Sequence, residues 1–186
     1  METQQTKIKS LEDCIQLYPG GLPADMVAEL MKKAHEDEGN RIWYQATVGK
    51  GNYSANDRNC DILSVKNWPD LDHRLFEILS PLAQEYASQF YGVTITKDEG
   101  YCILRYRVGG LHKLHVDHFS SYSRVFGCSI GLNDEYEGGL LSFWDRQKSY
   151  KLGAGDILFF PSNFLFPHEV EPVTAGTRYS LISWFN

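Results

Sequence analysis

No stretch of this chain stays apolar for the roughly 18 residues that a membrane-spanning helix needs. Residues 1–10 are polar and lack the apolar centre of a secretory leader. Cysteine is scarce: Cys14, Cys60, Cys102 and Cys128 lie far apart with no C-x-x-C pair. That spacing excludes a zinc ribbon and argues for reduced, buried thiols over a disulfide frame. Together these absences lead us to expect a cytoplasmic protein with no membrane partner. Basic charge is also short, with 18 Lys and Arg against 24 Asp and Glu and a net charge of −6. Such a balance argues against a nucleic-acid partner. There is no internal repeat and no low-complexity tract.

What is present suits one globular domain of 186 residues, with 42% hydrophobic, 23% charged and 13% aromatic residues. The first half reads as support. Residues 14–18 form a short strand candidate closed by Pro19, Gly20 and Gly21. Pro23 then opens a helix carrying Met26, Val27, Leu30, Met31 and Ala34 on one face and ending near Gly39. Residues 41–48 read as a strand. Residues 49–61 are a Gly- and Asn-rich loop, a solvated connector or a lid. A second helix over residues 70–89 turns Leu75, Ile78, Leu79, Leu82, Ala83 and Tyr86 to one side.

From Tyr101 the period changes from 3.6 to 2. Strand candidates cover residues 101–106, 123–132, 140–144, 156–160, 169–173 and 177–185, with residues 150–152 leading into a Gly153-Ala154-Gly155 turn. Short strands separated by Gly, Asn and Pro turns predict a sandwich, a barrel or a double-sheet jelly roll.

The chemistry-bearing residues fall inside this strand-rich half. His115 and Asp117 stand two apart, which in a strand puts both side chains on one face. His168 lies about fifty residues on and comes from a different strand. Two imidazoles and a carboxylate are the facial ligand set of non-haem Fe(II) oxygenases, which leave coordination positions open for co-substrate and oxygen. His112 and His118 flank the pair as solvated or supporting residues. Arg178, Ser180, Ile182 and Trp184 alternate on one face of the last strand. A buried Arg178 would pair either with an internal acid or with an incoming carboxylate, whose geometry its guanidinium fork matches. Ser180 would add a hydroxyl to the same anion.

In order and spacing these residues resemble the prolyl 4-hydroxylase branch of the 2-oxoglutarate/Fe(II) dioxygenases over about residues 101–185. The shared pattern is Tyr106, Gly109-Gly110, His115 and Asp117, Arg124, Leu132-Asn133, Gly138-Gly139, Gly155-Asp156, Pro161, His168 and Arg178. The N-terminal half is similar only in its supporting helices and a polar loop with Arg58. The resemblance implies an α+β fold, mainly β: a double-stranded β-helix (jelly roll) core packed against N-terminal helices. Residues 1–99 would supply support and lid, and residues 100–186 the core and its metal site, all within one domain. It further implies that His115, Asp117 and His168 bind Fe(II). Arg178, with Tyr106 and Ser180, would hold 2-oxoglutarate, and Arg124 and Trp184 would line the substrate side. O2 is then the second co-substrate, and ascorbate a supporting reductant.

The implied activity is hydroxylation of a C–H bond, foremost in a prolyl residue of a peptide or protein. A free amino acid or other small molecule is the next substrate class. A cupin-like, non-oxidative jelly roll is the rival reading, because residues 155–168 also resemble a cupin half-motif. Three departures stand out. Arg178 replaces the Lys of many collagen-type members, Gly131 replaces a tyrosine that contacts co-substrate, and Leu140-Leu141 replaces Glu-Thr.

Overall fold

Alternating burial along the strands explains the architecture, seen in a computed structural model that describes residues 8–36, 43–48, 51–118 and 123–186. The N-terminal part contains β1 (Gln16–Tyr18), α1 (Ala24–Glu36), β2 (Tyr44–Gln45), β3 (Arg58–Asn59), β4 (Asp61–Ser64) and α2 (Pro69–Ser88). There follow β5 (Cys102–Tyr106), β6 (Leu111–His115), β7 (Phe126–Gly131), β8 (Tyr136–Gly138) and β9 (Leu141–Phe143). The chain closes with β10 (Lys148–Tyr150), β11 (Ile157–Pro161), β12 (His168–Val170), β13 (Val173–Gly176) and β14 (Arg178–Phe185).

A seven-stranded sheet runs β1-β11-β7-β14-β5-β4-β2, and a five-stranded sheet runs β10-β9-β12-β6-β3. All their pairings are antiparallel. β8 and β13 form a separate ribbon.

Successive side chains on a strand point to opposite faces, so each central strand of the large sheet serves two cores. Ile103, Ile157, Phe159, Tyr179, Leu181 and Phe185 face α1 and α2. Their neighbours Leu104, Tyr106, Leu158, Phe160 and Ile182 face the small sheet, where they meet Leu141, Phe143 and Val170. The helices answer at helical spacing: α1 buries Met26, Val27, Leu30 and Ala34, and α2 buries Leu71, Leu75, Leu79, Ala83 and Tyr86. Each fully buried side chain of this kind stabilises by about 1.5–3 kcal/mol. This is the jelly-roll core backed by N-terminal helices that the resemblance implied.

The N-terminal part contributes more than helices and loop, because β1, β2, β3 and β4 all join the two sheets. The strand expected over residues 41–48 shrinks to β2, with residues 41 and 42 outside the described ones. The end of the first helix near Gly39 also lies outside the described residues. Of the expected loop over 49–61, residues 49 and 50 lie outside the described ones, and the remainder is not all loop. Arg58 and Asn59 pair with β6, and Asp61 opens β4. Polar side chains hid these strands. Arg105, a β5 residue 5% exposed beside Asp61, shows why: its charge is met by that carboxylate rather than by water.

Candidate metal centre

His115 ends β6, and His168 opens β12 directly opposite it in the antiparallel register. Asp117 lies two residues past the end of β6, in a bend, so the same-face argument for a shared strand does not apply to it. The bend does the work instead. It folds the carboxylate back between the imidazoles, with Asp117 Oδ1 3.5 Å from His115 Nε2 and Oδ2 3.5 Å from His168 Nε2. One donor atom from each residue lies within 4.8 Å of the other two. Adjacent donors bound at about 2.0–2.2 Å to one ion sit about 3 Å apart, so the 3.5 Å pairs need only a small inward shift.

The imidazoles are preset for coordination. His115 Nδ1 lies 2.7 Å from the Lys113 carbonyl oxygen, and His168 Nδ1 lies 3.0 Å from that of Phe166. A carbonyl only accepts, so each Nδ1 carries the proton and each Nε2 turns its lone pair inward. Burial, against the pull of Asp117, pushes His168 down to about 4, so it is neutral at physiological pH. Burial alone would raise the Asp117 carboxyl. His168, His115 and the Trp184 indole outweigh it and hold the group well below the usual range. The site therefore offers two imidazole nitrogens and one carboxylate, a set suited to a divalent cation.

Trp184 and Arg124 form a clamp on Asp117. Trp184 Nε1 donates to Asp117 Oδ2 at 2.8 Å, and the Arg124 guanidinium stacks on the indole at 3.7 Å. Arg124 is itself held by Glu99, with Nη2 to Oε2 at 2.6 Å and Nε to both carboxylate oxygens at 3.0 Å. Both residues line the cavity, where they also hold the carboxylate in place. We therefore expect Trp184→Phe to weaken metal binding about 10- to 100-fold, the usual cost of losing such an outer hydrogen bond. A Mn(II) titration followed by electron paramagnetic resonance measures it, and unchanged affinity would remove the clamp from the account.

The cavity measures about 860 Å³. Arg178, Ser180, Ile182 and Trp184 all line it, as their alternation predicted, against the apolar walls of Leu104, Leu141, Phe160 and Val170. Arg178 is 2% exposed; its Nη1 donates to Ser180 Oγ at 2.9 Å and its guanidinium lies 5.2 Å from the Tyr106 ring. Among the described residues no carboxylate pairs with it. Of the two alternatives left open by the sequence, an internal acid therefore finds no support among the described residues. Gly139 makes room for it, since a Cβ there would lie 3.0 Å from Arg178 Cδ and the residue has φ +59°. Burial raises the Tyr106 phenol, which stays protonated as a hydrogen-bond donor.

Gly131 stands opposite Ser180 in the β7–β14 ladder. A Cβ there would meet the Leu152 and Gly153 carbonyl oxygens. The turn that closes on β11 fills the space, so no tyrosine fits without moving backbone.

Two residues named in the sequence only as supporting or loop positions gain a definite place here. Between His168 and Val170, β12 advances two residues while β6 advances three, from His115 to His112. This bulge cancels the odd spacing and puts His112 on the same face as His115, their rings stacked at 3.6 Å. His112 is thus partly buried against a candidate ligand and not solvated, whereas His118 is exposed. Arg58, opposite His112 on β3, reaches the same wall.

Residues 101–186 match the profile of the 2OG-Fe(II) oxygenase superfamily. A PKHD-type hydroxylase of Idiomarina loihiensis is 36% identical over 88 residues, 44% of this chain and 39% of the relative. The chain thus spans about two fifths of the length of the curated relatives it first matches. In structure it is similar to a Pseudomonas putida prolyl-4-hydroxylase, with TM-score 0.77, 20% identity, and 92% and 91% of the two chains covered. A prolyl hydroxylase from Trichoplax adhaerens, in complex with a hypoxia inducible factor peptide fragment, superposes with TM-score 0.75 at 18% identity, covering 92% and 82%. These likenesses show the double-stranded β-helix fold.

Proposed function

We propose that this chain, whose residues 101–186 match the 2OG-Fe(II) oxygenase superfamily, is an Fe(II)- and 2-oxoglutarate-dependent hydroxylase acting on a prolyl residue of a peptide or protein. One observation carries the reading. A buried guanidinium with no carboxylate partner among the described residues shares a cavity with a preset His-Asp-His face. A cupin-like binding module has no need of such a cation.

The donor set fits Fe(II). His115, Asp117 and His168 would hold it on one face, leaving the opposite positions open. When bound, Fe(II) with 2-oxoglutarate and O2 supplies the oxidising power for the reaction, giving succinate, CO2 and a hydroxylated substrate.

The chain's own residues bind, orient and exclude water. Arg178 and Ser180 would receive the distal carboxylate of 2-oxoglutarate in a charge-assisted pair. Tyr106, protonated and beside Arg178, would donate to the same molecule. Arg124 and Trp184 fix Asp117 and border the substrate. The apolar walls keep water from the reacting carbon. The peptide held by the Trichoplax adhaerens enzyme supports a peptide substrate. Four unpaired cysteines suit a reducing compartment such as the cytoplasm. No helix among the described residues is long and apolar enough to cross a membrane.

The test is anaerobic. Adding Fe(II) and 2-oxoglutarate to folded protein should produce a visible metal-to-ligand charge-transfer band, and admitting O2 should release succinate. A folded protein that shows neither overturns the proposal.

A further inference from the structure

We infer that Arg58 is a binding point for a carboxylate of the substrate, so that the molecule hydroxylated carries an anion near the carbon attacked. The inference rests on the reading of the site given above. It follows from charge. The formally charged side chains lining the cavity are Arg58, Arg124, Arg178 and Asp117, besides the histidines. Arg124 is neutralised by Glu99 at 2.6 Å. The metal's two charges and Arg178's one balance Asp117's one and the two of 2-oxoglutarate. Arg58 is left over.

The local contacts agree. Arg58 Nη1 donates to the Thr47 carbonyl oxygen at 3.3 Å, and its Nε is buried with no partner. Among the described residues no carboxylate forms an ion pair with it. Arg58 is partly buried, and its Nε, out of water and without a hydrogen-bond partner, is a donor that a carboxylate would satisfy. Its position suits a substrate. Arg58 lies directly across the β3–β6 ladder from His112, and directly opposed residues share a face. His112 stacks in turn on His115. Arg58 is therefore on the small-sheet wall with the metal ligands, whereas Arg178 is on the large sheet.

The carboxylate could be that of a free amino acid or chain terminus, or an Asp or Glu side chain beside the target residue. The chemistry recognised is the same, and the experiment separates the sources. Protein loaded with Mn(II) and saturating 2-oxoglutarate, without O2, is titrated with trifluoroacetate while ¹⁹F relaxation is recorded. Saturating 2-oxoglutarate keeps the probe away from Arg178. We expect Mn(II)-dependent broadening with the wild type, a loss of about tenfold in apparent affinity with Arg58→Gln, and partial retention with Arg58→Lys.

Equal broadening in wild type and Arg58→Gln would overturn the inference. So would a weaker 2-oxoglutarate affinity in Arg58→Gln, because it would assign the guanidinium to the co-substrate. Wild-type protein that fails to take up Mn(II) or 2-oxoglutarate, seen first by water-proton relaxation, brings down the oxygenase reading and this inference with it.

Competitors then place the anion. Displacement of the probe by L-proline but not by N-acetyl-L-prolinamide assigns it to the substrate's own carboxyl. Displacement only by N-acetyl-Asp-Pro-amide assigns it to a neighbouring side chain. Displacement by none of them supports a carboxylate point while removing prolyl substrates.

Discussion

Asp117→Ala should lose metal binding while keeping its fold. Losing an outer hydrogen bond to a ligand costs about 10- to 100-fold in affinity, so losing the only anionic ligand should cost more than ~10²-fold. The readout need not involve turnover. An ion that binds only the folded state at about 100 times its Kd stabilises it by about 2.7 kcal/mol. For a chain of this length that is a rise of roughly 5–10 °C in Tm. Wild type should show that rise with saturating Mn(II), and Asp117→Ala should show almost none at the same concentration. The variant's circular dichroism without metal should match the wild type, because the carboxylate's partners are two imidazoles and an indole and no lysine or arginine side chain pairs with it among the described residues. An undiminished Mn(II) shift in Asp117→Ala would remove the carboxylate from the metal site.

Arg178→Met should separate function from stability in the opposite direction. The guanidinium is 2% exposed and has a hydroxyl, not a carboxylate, as its hydrogen-bond partner. An uncompensated buried cation costs several kcal/mol, and methionine fills a similar volume without it. In the absence of 2-oxoglutarate the variant should therefore melt no lower than the wild type. Affinity for 2-oxoglutarate should fall roughly 10- to 150-fold, the range set by losing hydrogen bonds to a charged group worth about 1.5–3 kcal/mol. Arg178→Lys should fall between them, keeping the charge and losing the fork. A variant that melts several degrees lower and binds 2-oxoglutarate as before would make Arg178 a structural residue. Together the two results describe a cavity whose folded state carries an electrostatic cost that is relieved only when ligands arrive.

The candidate site was legible in part. Alternation along residues 178–184 placed Arg178, Ser180, Ile182 and Trp184 on one face, and all four line the cavity. His115 and His168 were legible as separate strands, and they meet in register. Asp117 was identified for a wrong local reason, since a bend and not a strand aims it. Tyr106 followed from the family likeness, and the structure places it opposite Arg178 in the ladder.

The sequence by itself therefore determined the two-faced strands, the helical faces that cover one sheet, and the residue types that could meet a metal and a carboxylate. These are local properties: a period of 2 or 3.6 and a side chain's chemistry are carried by neighbouring residues. The tertiary structure alone decided that no acid among the described residues pairs with Arg178, that Arg124 is bound to Glu99, and that the 152–153 turn occupies the space beside Gly131. It also decided that one extra residue in β6 brings His112, and with it Arg58, to the wall that carries His115. Each depends on register between segments distant in sequence. A shift of one residue turns a side chain to the other face, and pairing sets that shift while local pattern does not.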